Sequence, residues 1–205
     1  ATSLGSFRSY QREQAWTWEH LALTRARPVA GTVELGEDID AFRRALLAEK
    51  RDAAAVLADV AEMRARLAEA KPGDGGWEAK LGPGRMQDIE LLAQAAALLS
   101  GDPARATADQ LAAGRAVGWL SDDDVAMLTG AYDLFWRVQA AARLLTGARL
   151  DIADLGEGGR GFILRQTGAD SFDGLAARMQ DLGGRAAEII TAALGRVPEA
   201  GEATA

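Results

Sequence analysis

The chain has 205 residues, 48% hydrophobic and 26% charged, a balance that suits one folded domain, or one domain and part of another, and excludes wholesale disorder. Lys and Arg number 23 against 30 Asp and Glu, and the net charge of −7 opposes a broad nucleic-acid-binding face. There is no cysteine, and His20 is the single histidine. Disulfides, thiolate chemistry and a His-rich zinc site are therefore excluded, as is a Ser-His-Asp triad without His20.

No uncharged apolar run approaches the ~20 residues that a bilayer span needs. The N-terminus lacks the basic and then apolar order of a signal peptide. The expectation is a cytoplasmic chain with no membrane segment. Opening at Ala1 rather than Met, with helical spacing almost at once, reads either as a chain cut from a longer protein or as one from which Met has been removed, and composition leaves both open.

In chain order, Ser3 is the first candidate N-cap. Phe7, Tyr10, Gln14, Trp18, Leu21 and Arg25 follow at helical spacing, and Pro28 ends that helix. Phe7, Tyr10, Trp16 and Trp18 give it apolar surface on more than one face. A long amphipathic helix is predicted from about Asp38 to Glu69, with Phe42, Leu46, Leu57 and Val60 on one face and charged pairs on the other. Residues 71–85, KPGDGGWEAKLGPGR, form a Gly- and Pro-rich loop in which the alternation of Trp77, Ala79 and Leu81 admits a short extended piece.

Helices are predicted next over Met86 to Ser100, ended by Gly101-Asp102-Pro103, and over Ala108 to Val117. Ser121 caps another, with Asp122, Asp123 and Asp124 in its first turn, running to about Thr146. Gly156 to Ala169 reads as a surface loop around Phe162-Ile163-Leu164. A last helix begins near Ser171, and the tail after Gly195 is expected to fray. Strand signals are almost absent, so the fold class is all-α, a helical bundle.

Few residues carry a chemical signal. His20 beside Glu19 could act as a general acid-base pair, but adjacent helical residues diverge by about 100°, and a packed or capping histidine is the plainer reading. Arg25 and Arg27 either hold a phosphate or complement a helix C-terminus, and both readings stand open. Asp38-Ile39-Asp40 has the spacing of a two-metal carboxylate pair but sits where a helix opens, so helix N-terminal charge is preferred. Gly82-Pro83-Gly84-Arg85 running into Asp88-Ile89-Glu90 is the most pointed feature. Glycines before a helix can cradle an anion, although the spacing matches neither the phosphate loop nor the dinucleotide fingerprint. Gly82, Gly84, Arg85, Asp88 and Glu90 are the candidate binding residues, with a structural turn as the competing reading. No residue is assigned to catalysis or to a metal.

Two stretches resemble a known family. Tyr10-Gln11-Arg12-Glu13-Gln14-Ala15-Trp16-Thr17-Trp18-Glu19-His20, continuing to Leu23-Thr24-Arg25-Ala26-Arg27, is very similar to a segment of glutamine synthetase adenylyltransferase, the bifunctional bacterial adenylyltransferase/adenylyl-removing enzyme. Gly82-Pro83-Gly84 with Asp88-Ile89-Glu90 is similar to that family's Gly-Pro-Gly-Gly…Asp-Ile-Glu-Phe motif, with Arg85 in place of Gly and Leu91 in place of Phe. The resemblance implies a C-terminal fragment. Residues 1–32 would be the last helix of a nucleotidyltransferase domain, and residues 33–205 a helical regulatory domain.

It further implies that the whole enzyme uses ATP and Mg²⁺ to transfer AMP to a tyrosine of glutamine synthetase. The partners implied are glutamine synthetase and the PII signal protein, with glutamine as a further candidate, and no nucleic acid and no membrane. The family's Gly-Ser loop and catalytic aspartates lie upstream of the first stretch. No ATP or Mg²⁺ is therefore expected in this chain, which is predicted inactive alone. The alternative is a stand-alone helical protein-binding module without catalysis. A self-contained enzyme using His20 and Glu19 is a third reading.

Overall fold

The structure, a computed structural model, describes residues 2–71, 73, 75–146 and 155–198. Among the described residues there are nine α-helices and no strand. They are α1 (Leu4–Glu13), α2 (Thr17–Thr24), α3 (Val33–Leu47), α4 (Ala53–Ala70), α5 (Met86–Ser100), α6 (Thr107–Ala116), α7 (Asp122–Thr146), α8 (Glu157–Thr167) and α9 (Phe172–Leu194). The chain divides into two compact units: residues 1–63, 91–125 and 193–205 form unit 1, and residues 64–90 and 126–192 form unit 2. The tail expected to fray lies, from residue 199, outside the described residues.

The first aromatic helix is two helices. Ser3 caps α1 as expected, its hydroxyl accepting from the Ser6 amide at 3.1 Å. The break comes at 14–16, where the Trp16 amide donates to Glu19 Oε2 at 2.9 Å. The other oxygen of Glu19 accepts from the Tyr10 hydroxyl at 2.7 Å. One carboxylate thus starts α2 and ties it back to α1. Periodicity alone does not register this, because Trp16 keeps helical spacing while leaving helical dihedrals (φ −82°, ψ 162°).

The second predicted helix is also two, α3 and α4, interrupted at 48–52. Asp52 opens α4 by accepting from the Ala54 amide at 2.9 Å and the Ala55 amide at 3.3 Å. Arg51 closes α3 by donating to the Leu46 carbonyl at 3.0 Å. Because α3 begins at Val33, Asp38 and Asp40 lie inside it and not at its start. The expectation that they answer the helix dipole is corrected.

The core of unit 1 includes a cluster of Leu23, Phe42 and Leu46, with Phe7 and Ala26 packed on it. Trp119 is fully buried and donates its indole N–H to the carbonyls of Ala193 and Arg196 at 3.0 Å each. A buried tryptophan needs such an acceptor.

In unit 2, Leu128, Phe135, Ile163, Leu175 and Met179 are fully buried. Residues 77–81 contain turns and bends in place of the admitted extended piece. Trp77 instead meets Phe172 edge-on at 5.7 Å. Residues 156–169, read from sequence as a loop, hold α8. Three glycines there each cost a helix about 1 kcal/mol. Complete burial of Ile163 offsets that cost, and Arg160 lies over the Phe172 ring at 5.3 Å. Gly168, at φ +65°, ends the helix in the left-handed conformation that glycine tolerates best.

Candidate functional site

The five candidate residues of the Gly82–Glu90 turn all lie in unit 2. Gly82 (φ +103°) and Gly84 (φ +67°) bend the chain into the start of α5. Asp88, in the first turn of α5, accepts from the Gly84 amide at 2.7 Å. Its two oxygens also receive the fork of Arg64 from α4, Nε at 2.8 Å and Nη2 at 3.0 Å. Arg64 donates its remaining arm to Thr191 at 3.0 Å. Asp88 is therefore buried and paired, and the Gly84 amide is already spent on it.

Arg85 turns the other way. It donates to the Met179 carbonyl at 2.7 Å and lies 4.9 Å from the centre of the Phe135 ring. Burial lowers its pKa, and Glu78 works against that. Glu90 accepts from the Tyr132 hydroxyl at 2.8 Å. Through Arg85, Asp88 and Glu90 the turn and the start of α5 thus hold α4, α7 and α9.

A second concentration of polar groups lies in unit 1, and spacing in the sequence did not connect its members. Arg43 is almost completely buried yet charged. It donates to the carbonyls of Leu23, Thr24 and Pro103, the first and last at 2.8 Å. Arg105 donates to Ala26 O at 2.9 Å. Two cations thus answer carbonyls at and just beyond the C-terminal end of α2. Asp40 takes Arg44 at 2.6 Å, pairs with Arg105, and stands 3.7 Å from Arg43 Nη1. Desolvation alone would raise the Asp40 pKa, but its bond to Arg44 and the charges of Arg105 and Arg44 win and hold it low. Arg43 is driven down chiefly by burial, with the neighbouring Arg105 adding to it and Asp40 opposing.

Above this cluster is a groove of about 570 Å³, lined in part by Arg27, Pro28, Val33, Glu37, Arg44 and Arg105. Arg27, one of the two arginines left open between phosphate and dipole roles, is brought to it. Arg25 does not line it.

The acid-base pair considered for Glu19 and His20 is separated. Glu19 serves Tyr10 and Trp16. His20 bonds Gln11 O through Nε2 at 2.8 Å and Arg51 through Nδ1 at 3.0 Å. Asp38 and Asp40 likewise part: Asp38 pairs with Arg8 at 3.6 Å, and Asp40 is ringed by guanidinium groups that a divalent cation would have to displace. These residues do not fit Mg²⁺. Among the described residues no cluster of three or more His, Cys, Asp or Glu could hold a metal ion, and no helix is long and apolar enough to cross a membrane.

Comparison with known proteins divides the chain. Residues 1–42 match the family described as Glutamate-ammonia ligase adenylyltransferase, and residues 54–189 match the family described as GlnD PII-uridylyltransferase. Among curated relatives, the Bifunctional glutamine synthetase adenylyltransferase/adenylyl-removing enzyme of Mesorhizobium japonicum is 34% identical over 185 residues, 88% of this chain and 19% of the relative. The enzyme of that name from Agrobacterium fabrum is 42% identical over 120 residues, 55% of this chain and 12% of its own length. That of Rhizobium meliloti is 48% identical over 105 residues, 51% of this chain and 10% of its own. The chain spans about a fifth or less of the length of these relatives.

Proposed function

Because the chain belongs to the family described as GlnD PII-uridylyltransferase and is homologous over most of its length to bifunctional glutamine synthetase adenylyltransferase/adenylyl-removing enzymes, we propose that it is a C-terminal part of an enzyme that adenylylates glutamine synthetase. One observation carries the choice between the two names. The alignments to the adenylyltransferases cover 88% of the chain, which takes in parts of both matched segments. The combination of the two segments thus occurs in proteins with the adenylyltransferase name.

In this reading residues 1–32 end a nucleotidyltransferase domain, and residues 33–205 form a regulatory helical domain. The whole enzyme transfers AMP from ATP to a tyrosine of glutamine synthetase in the cytoplasm, with Mg²⁺ assisting attack by the tyrosine hydroxyl and loss of pyrophosphate. The groups that hold the metal and the reacting phosphate belong outside this chain. PII signal protein, glutamine synthetase and glutamine are the partners assigned to the regulatory part. The Gly82–Glu90 turn contributes by fixing the helices it clasps.

An antibody raised against this chain tests the proposal. In extracts of the source cells it should detect a protein several times the size of the chain, and depleting that protein should remove AMP incorporation into glutamine synthetase. A protein the size of this chain, with adenylylation unchanged after depletion, would leave the stand-alone binding module as the reading.

A further inference from the structure

We propose that the aromatic start of α2 is an interface whose occupant is an apolar protein surface of the same polypeptide, outside these 205 residues; this rests on the reading of the chain as part of a longer adenylyltransferase. Trp16 is 71% exposed and Trp18 52%, whereas Trp119 is fully buried with two carbonyls for its indole N–H. Tyr10, 39% exposed, is joined to the same place through Glu19, which accepts from its hydroxyl and from the Trp16 amide. Tryptophan and tyrosine suit an interface because an apolar ring can be covered while its polar tip finds a partner.

These rings stand on a fixed backbone. Between the two tryptophans Thr17 donates its hydroxyl to Asp59 of α4. At the far end of α2, Arg43 of α3 holds the carbonyls of Leu23 and Thr24. A surface ordered in advance loses little entropy when it is covered.

The size of the patch selects the occupant. At these exposures Tyr10, Trp16 and Trp18 offer about 400 Å² at most. Separate proteins that bind stably each bury roughly 800 Å². The patch is therefore too small to hold a second copy or a free partner by itself. A covalently attached domain meets it at an effective concentration of order mM and needs less area. The relatives point the same way. The chain covers 19% of the Mesorhizobium japonicum enzyme, so most of that polypeptide lies outside the match. Among the described residues, six of the ten exposed large apolar side chains fall in residues 1–42, the segment matched to the adenylyltransferase family.

Hydroxyl-radical footprinting, read by mass spectrometry, compares the long enzyme with the 205-residue chain. Trp16 and Trp18 should be oxidised at least fivefold more slowly in the long enzyme. In the chain alone their rates should be independent of protein concentration. Trp16→Gln combined with Trp18→Gln should lower the thermal midpoint of the long enzyme more than that of the chain. Equal oxidation in the two proteins, or equal drops in midpoint, would overturn the interface. The size of the enzyme and its AMP transfer would still stand as evidence for the family reading. Protection that grows with the concentration of the chain alone would also overturn the proposal, by making a second copy the occupant. Finding no protein longer than the chain in the source cells would remove the underlying reading and the interface with it.

Discussion

A Cβ on Gly84 would stand 1.9 Å from the carbonyl oxygen of Gly183. The turn before α5 and the middle of α9 therefore meet backbone to backbone. Gly84 also holds φ +67°, which side-chain-bearing residues rarely adopt. Gly84→Ala should destabilise the chain by about 3 kcal/mol or more in urea denaturation. Gly183→Ala is the milder comparison: the nearest atoms to its Cβ are the guanidinium of Arg85, at 3.1 Å, a side chain and not backbone. Added helix propensity of up to ~1 kcal/mol should bring its net effect close to zero. Equal losses in the two variants would contradict this account of the clasp.

Asp88 and Arg64 form a two-pronged bond in which Asp88 also holds the Gly84 amide. Removing the carboxylate strands a partly buried guanidinium and a backbone donor together. Asp88→Ala should cost roughly 3 kcal/mol. In a double-mutant cycle with Arg64→Met, the second substitution should cost markedly less than the first. Additive losses would show that the pair is not coupled.

Arg43 bonds three carbonyls from two nitrogens of its planar fork, a spread that the compact ammonium of a lysine does not reproduce. Arg43→Lys should behave almost as badly as Arg43→Met, each losing about 3 kcal/mol, because charge alone does not replace the planar fork. The denaturation midpoints of the two variants, measured side by side, decide the matter.

His20 gives unit 1 a pH dependence. Burial is the main cause of its lowered pKa; the bond to Gln11 opposes the shift, the charge of Arg51 adds to it, and Glu19 and Glu49 oppose it. In the neutral ring Nε2–H donates to Gln11 O and Nδ1 accepts from Arg51. A proton on Nδ1 would meet a guanidinium. The folded pKa lies below the ordinary 6.5, so this contribution is complete above pH 6.5 and declines as the pH falls from there through the folded value. Urea midpoints of the native chain should drop between about pH 7.5 and 5 more than those of His20→Gln.

Trp16 and Trp119 should respond oppositely to substitution. Trp16 is 71% exposed, and Trp16→Gln should change stability by less than about 0.5 kcal/mol. Trp119 is fully buried and donates to two carbonyls. Trp119→Phe leaves those acceptors without their donor and a gap beside the smaller ring, and should cost about 2 kcal/mol or more.

Much of the local structure was legible in the residues. The limits of α5 agree with prediction, as do the Ser3 and Ser121 caps, because each is decided within one turn of helix. The breaks at 14–16 and 48–52 were not legible. Glu19 and Asp52 act there as caps within sequences that keep helical spacing throughout. Helix α8 was missed because three glycines outweigh a short apolar run until Ile163 is buried. For the candidate residues, the sequence located the Gly82–Glu90 turn and singled out Arg27. It did not reveal that Asp88 belongs to Arg64, 24 positions away, or that Arg105 reaches Asp40 across 65.

The sequence by itself determined that this chain is all-α and without cysteine chemistry. It also determined the resemblance, since composition, 3.6-residue periodicity and the wording of residues 10–27 are local properties. Only the tertiary structure decided which polar residues are used up in holding the fold. That outcome depends on pairings between distant segments and on burial. Burial turns an arginine such as Arg43 from a solvated charge into a donor that must find its acceptors.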